Sequence, residues 1–195
     1  MSEDIKPLSP TFIGLDMSLS ATGFCRKQGK DMLIETIKTN PRTCVNDLAR
    51  LRYISDKCME RIPKDTSMIC MEDYFVGRFA ASGLKLAALG AVIRLALYET
   101  GLPFFIITPS QLKKYITGKG NSPKSMVIKE VYKKWKIDCK DDNQADATVL
   151  AHVSEAVFCN LHPDSSLVLP YKMLKYQTDT LKKVIDERPH YNIKM

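Results

Sequence analysis

The 195-residue chain has no apolar run near the roughly 18 residues that a membrane-spanning helix needs, and no basic segment followed by an apolar stretch opens it. A cytoplasmic protein with no membrane partner is the expectation. The six cysteines (Cys25, Cys44, Cys58, Cys70, Cys139 and Cys159) never stand in CxxC spacing, which argues against structural zinc, and their mostly apolar neighbours mark them as buried free thiols. The three histidines (His152, His162 and His190) lie outside every motif described below, so no histidine base is invoked. Internal repeats and low-complexity segments are also missing, which excludes solenoids and linker-rich architectures.

What is present has the balance of a globular domain, 45% hydrophobic and 26% charged, at a length that suits one core and one active site. The net charge of +7 is concentrated. Nine lysines and two acids (Glu130 and Asp138) between Gln111 and Lys140 account for all of it, and the remaining basic and acidic residues cancel. A basic patch of this kind is the electrostatic footprint of a phosphate backbone, although an isolated lysine-rich helix is as often a solvated face.

Periodicity predicts three opening strands at Thr11–Asp16, Gly23–Lys27 and Met32–Lys38, then an amphipathic helix from Val45 to Ile62 with its apolar stripe at Val45, Leu48, Leu51, Ile54, Cys58 and Ile62. Ser67–Tyr74 reads as a buried central strand, Ala80–Glu99 as a helix rich in small residues, and Phe104–Ile107 as a further strand. A helix from near Ser110 to before Gly118, a loop, a basic helix Lys124–Trp135 and an apolar helix Ala145–Cys159 follow. This order predicts an α/β ribonuclease-H-like fold, a mixed five-stranded sheet flanked by helices, over residues 11–159. Residues 160–195, broken by Pro163, Pro170 and Pro189, read as a C-terminal extension that packs on the body or on a partner.

A carboxylate in an apolar strand is costly unless it is paired or bound to a cation. Asp16 ends the first strand, Glu72 sits in the strand expected beside it, and Asp146 opens the last helix with Asp142 and Asn143 four and three residues before it, on the same helical face. Acids from such distant positions meeting at one sheet edge make an all-oxygen site suited to Mg²⁺, and two ions there would hydrolyse a phosphodiester. Taken singly, each has an ordinary explanation: Asp16 forms a turn, Glu72 an ion pair, and Asp146 offsets a helix dipole.

Taken together, the motifs resemble the RuvC family of Holliday-junction resolvases from Phe12 to Val157. Ile13-Gly14-Leu15-Asp16 with Thr22-Gly23, Met71-Glu72-Asp73-Tyr74-Phe75, Thr108-Pro109-Ser110-Gln111-Leu112-Lys113 with Thr117-Gly118-Lys119-Gly120 and Lys124, and Gln144-Ala145-Asp146-Ala147 occur in that family's order. The resemblance implies a homodimeric endodeoxyribonuclease that makes paired nicks in four-way junctions and other branched DNA with Mg²⁺, for which Mn²⁺ substitutes. It implies Asp16, Glu72 and Asp146 as catalytic metal ligands, with Lys113 and Lys124 beside the scissile phosphate. It further implies Phe75 as a wedge stacking on a base at the junction centre, with ordinary core packing as the less favoured alternative. Lys114 and Lys119 belong to the same DNA-facing stretch. The family carries an acid or histidine three residues before the last aspartate, where this chain has Asn143, so the fourth ligand is either Asn143 or Asp142. The helix Ala80–Glu99 is where a dimer contact is expected.

Two rivals belong to other classes. Gly14-Leu15-Asp16 with Thr22-Gly23 also resembles the first phosphate loop of actin-like kinases, but that fold needs two such domains. A nuclease-fold binding module with weak or lost catalysis is the other, suggested by Asn143 and opposed by the three intact acids.

Overall fold

The structure is a computed structural model that describes residues 9–40, 44–73, 80–165, 167–187 and 190–193. Thr11–Asp16 (β1) runs antiparallel to Ala21–Gln28 (β2), which pairs antiparallel with Asp31–Lys38 (β3) through a turn at Gly29. Thr66–Glu72 (β4) lies parallel to β1, and Phe104–Ile107 (β5) parallel to β4. The expected five strands are therefore all present in one mixed sheet, in the order β3-β2-β1-β4-β5. A two-residue strand, His190–Tyr191 (β6), extends the β5 edge antiparallel.

The helices are Asp47–Met59 (α1), Ala80–Glu99 (α2), Pro109–Thr117 (α3), Lys124–Trp135 (α4), Asp142–Leu161 (α5) and Lys175–Glu187 (α6). Because strand side chains alternate, the central strands feed two cores. Phe12, Met68, Cys70, Phe105 and Ile107 point toward α3, α4, α5 and α6, while Ile13, Leu15, Ile69, Met71 and Phe104 point toward α1 and α2. Both faces are covered, which is why these strands read as continuous apolar runs rather than alternating ones.

Two expectations need correcting. The apolar stripe of α1 begins at Leu51, because Val45 precedes the helix and is 87% exposed, and Leu48 is 77% exposed. The last helix of the domain starts at Asp142 rather than Ala145, since the Asp141 side chain caps it. Asp146 therefore lies in its second turn. The C-terminal extension contributes a helix and a strand of its own: α6 packs on α3 with Leu181 and Val184 buried, and Tyr191 stacks on Phe104 at 4.5 Å. Five cysteines are buried, Cys159 is half-buried, and none of the six forms a disulfide among the described residues. Among the described residues, no helix is long and apolar enough to cross a membrane.

Candidate active site

Strand parity decides which face the acids take. Phe12, Gly14 and Asp16 share the face of β1 that meets α5, and Met68, Cys70 and Glu72 share the corresponding face of β4. Leu15 pairs with Met71, so Asp16 and Glu72 end adjacent parallel strands as neighbours. Two glycines then let α5 settle directly on the sheet. A Cβ on Gly14 would stand 2.0 Å from the Ala147 carbonyl oxygen, and one on Gly23 2.1 Å from that of Asn143. Only at this close approach does Asp146 reach the ends of β1 and β4.

A polar lock fixes the first turn of α5. Asp141 accepts the backbone N–H of Gln144 at 2.8 Å through one carboxylate oxygen and the Thr36 hydroxyl at 2.9 Å through the other. The Gln144 amide donates to Thr36 at 3.2 Å and accepts from the Lys140 N–H at 3.1 Å. This ties α5 to β3. Thr36, Asp141 and Gln144 were not among the sequence candidates, although Asp141-x-x-Gln144 has the spacing of a capping box.

Asp16 and Asp146 are buried, Glu72 is half-buried, and among the described residues none of the three has a basic partner in hydrogen-bonding contact. Burial and then the Glu72 charge push the Asp16 carboxyl well above the usual carboxylate range. Burial, offset in part by a hydrogen bond from Asp16, raises Glu72 to about 7, and burial together with the Asp16 charge raises Asp146 to about 7. Asp16 and Glu72 therefore titrate as a pair, both pushed upward chiefly by burial. Lys113, from α3, and Lys124, from the start of α4, act on the same carboxylates and oppose these shifts. The two lysines are brought to one edge by the turn between their helices, where Gly118 closes α3 at φ 83° and Thr117 bonds Ser122 at 2.8 Å.

The candidates for a fourth ligand separate. Lys124 donates to a carboxylate oxygen of Asp142, which raises the ammonium and lowers the carboxyl, and the Asp142 charge reaches both Asp16 and Asp146. Asn143 instead presents its backbone carbonyl to Gly23. Lys114 follows Lys113 on α3, where successive residues diverge by about 100°, and its carbonyl accepts the N–H of Gly118. Lys119 is exposed in the following turn. Phe75 lies outside the described residues.

Among the described residues, no three acids, histidines or cysteines are drawn together as tightly as a closed metal cage. The carboxylates nonetheless feel one another strongly. Three buried or half-buried oxygen-bearing groups that keep protons for want of positive charge are the donor set that a hard divalent cation fits.

Residues 12–154 match the family described as crossover junction endodeoxyribonuclease RuvC. The chain belongs to the RuvC family. The RuvC of Wolbachia pipientis is 29% identical over 160 residues, covering 75% of this chain and 94% of that relative. The RuvC of Brachyspira hyodysenteriae is 28% identical over 153 residues, covering 73% and 92%. In fold, the chain is similar to the solved Thermus thermophilus RuvC, with a TM-score of 0.63 at 21% identity over 78% of this chain and 96% of that one. The same organism's RuvC in complex with a Holliday junction substrate gives a TM-score of 0.60 at 19% identity, over 78% and 95%. RuvC nucleases are metal-dependent, in keeping with the donor set at the ends of β1 and β4.

Proposed function

We propose that this chain is a structure-selective endodeoxyribonuclease that resolves Holliday junctions and other branched DNA by Mg²⁺-dependent phosphodiester hydrolysis, with Mn²⁺ as a substitute. The convergence of Asp16, Glu72 and Asp146 beside Lys113 and Lys124 carries the reading. Relatives over nearly their full length bear the name crossover junction endodeoxyribonuclease, and the T. thermophilus RuvC is known with a Holliday junction substrate.

Asp16, Glu72 and Asp146 would hold the divalent ions, with Asp142 preferred to Asn143 as the fourth ligand because its charge already reaches the cluster. Ions held there would supply activation of a water and an offset to charge on the leaving oxygen. The protein's own part is positional. The glycine seats and the Thr36–Asp141–Gln144 lock hold Asp146 in place, and burial keeps bulk water from screening the carboxylates. Lys113 and Lys124 orient the scissile phosphate and offset its developing charge, Lys124 exchanging Asp142 for the phosphate. Lys114 and Lys119 contact the DNA backbone, and Phe75 stacks at the junction centre.

Paired nicks require a homodimer. Support comes from the face of α1 and α2 that carries exposed Leu48, Leu84, Val92 and Leu95, an unusual apolar grouping for a free surface. Residues 11–159 form the nuclease unit, the C-terminal extension buttresses it, and the cytoplasm is the place of action.

The deciding experiment is a cleavage panel of four-way, three-way, flap, duplex and RNA/DNA substrates with Mg²⁺, the nicks mapped to the nucleotide. Symmetric paired nicks in four-way junctions are expected. Cutting confined to flaps or to RNA/DNA duplexes would sink the junction assignment.

A further inference from the structure

A cavity of about 600 Å³ lies at the C-terminal end of α4, against the middle of α5, and is lined by none of the site acids. Lys124 marks the active-site end of α4 and Trp135 the cavity end, so the two lie roughly 16 Å apart along the helix. The cavity has three walls of different origin: the β2–β3 turn, the end of α4 with the facing side of α5, and the segment from Pro170 to Gln177 that precedes and begins α6. The last wall falls beyond the residues that match the RuvC family.

Its chemistry is uneven in a way that selects a ligand. Lys27, Lys30, Lys134 and Lys172 line it, and no acid among the described residues does. Lys27 is buried and committed to Glu155 at 2.6 Å and to the Gly29 carbonyl at 3.1 Å, and Lys134 shares Glu130 with Lys133 at 3.7 Å. Lys30 and Lys172 are exposed at the rim with no acidic partner among the described residues. The aromatic wall is Trp135, held flat against the His152 ring with centroids 3.6 Å apart and planes 6° from parallel. His152 is itself pinned by the Thr148 carbonyl at 2.9 Å, so the indole is a fixed plate. Met32, Ile137 and Pro170 complete an apolar lining. A rigid aromatic plate with uncompensated cations at the mouth fits a planar ring that carries an anionic group, and the volume is of the size usual for such sites.

We infer that this cavity binds a nucleotide, its base against Trp135 and its phosphate at Lys30 and Lys172, either free or as part of a DNA strand. The inference is independent of the role given to the acids. Trp135 is the chain's one tryptophan, so intrinsic emission reports on this site alone. The test titrates the metal-free full chain with a deoxynucleoside monophosphate, with a short single-stranded oligonucleotide, and with tripolyphosphate. A saturable change in emission with half-saturation below about 1 mM is expected for at least one of the first two. A response to the mononucleotide identifies a free ligand, and a response to the strand alone identifies DNA. Lys30→Glu with Lys172→Glu, both at exposed positions, should raise half-saturation at least about tenfold, whereas Lys113→Ala should leave the mononucleotide response unchanged. Unchanged emission with both nucleotide probes, an equal response to tripolyphosphate, or a response indifferent to the Lys30 and Lys172 substitutions would overturn the inference.

Discussion

Along α5 the protein buries acidic side chains in two places and treats them in opposite ways. Glu155 meets the Lys27 ammonium at 2.6 Å, both side chains nearly without solvent contact, so a charge is balanced by a charge. Nine residues earlier, Asp146 faces Asp16 and Glu72, and repulsion and burial together push protons onto the cluster. A paired buried ion is architecture, whereas an unpaired one persists only where something outside the chain completes it. The contrast separates scaffold from site on one helix.

The largest effect should come from the unbalanced group. Asp16→Asn keeps the shape of the strand end and removes a proposed metal ligand, and cleavage of a four-way junction in Mg²⁺ should fall at least about a hundredfold. Junction binding, followed by gel shift without divalent ions, should stay within a few-fold of the unaltered protein. Full cutting by this variant would take Asp16 out of the mechanism.

At the balanced pair the damage should appear in stability instead. Glu155→Ala leaves the Lys27 ammonium buried with only the Gly29 carbonyl, and the expected cost is about 3–5 kcal/mol in urea denaturation. Lys27→Met combined with Glu155→Leu should recover most of that loss. If the single and double variants unfold alike, the pair is not acting as a charge-compensated unit.

The same measurement at the cluster should change sign. An acid whose folded pKa lies above its unfolded value binds its proton more tightly when folded, so its contribution to stability is full at low pH and is lost as pH rises toward the folded value. For Asp146, raised from 3.8 to about 7, the window lies between about pH 4 and 7. Relative to the unaltered protein, metal-free Asp146→Asn should therefore be more stable at pH 8 than at pH 4, by at most ~4 kcal/mol at the ordinary conversion of about 1.4 kcal/mol per pKa unit. Mg²⁺ should stabilise the unaltered protein and leave the variant nearly unmoved. An equal effect of the substitution at both pH values would mean that no proton is held there.

These regions also differ in how openly the sequence announces them. The meeting of the acids was legible because each stands in a short local motif, Asp16 at a strand end, Glu72 in an apolar strand and Asp146 near a helix start, and the motifs together follow the order of the RuvC family. The sheet was legible for the same reason. The start of α5 was misplaced because the polar run from Asp141 to Gln144 looks like loop until Asp141 is seen to cap the helix. Helix α6 escaped because two of its four buried positions are polar, Gln177 and Thr180, which breaks the apolar stripe. Neither the Lys27–Glu155 pair nor the cavity beside it is visible in the chain. Their members come from β2, α4, α5 and the C-terminal extension, and no spacing rule joins positions 128 residues apart.

The smallest effect, and the finest test of the contrast, concerns the residue between the two regimes. Asp142 is both paired, through Lys124, and close enough to raise Asp16 and Asp146. As a ligand it should contribute to metal affinity, so Asp142→Asn should raise the Mg²⁺ concentration for half-maximal cleavage by about three- to tenfold, as loss of one of several oxygen donors does. Asn143→Ala should change it little, because that residue's contact with the sheet is made by its backbone. The ion pair complicates the first variant, since losing Asp142 also frees Lys124. Repeating Asp142→Asn in a Lys124→Ala background removes that complication, and the shift in Mg²⁺ requirement should survive. Its disappearance there would make Asp142 a counter-ion for Lys124 and place it with Glu155 among the architectural acids.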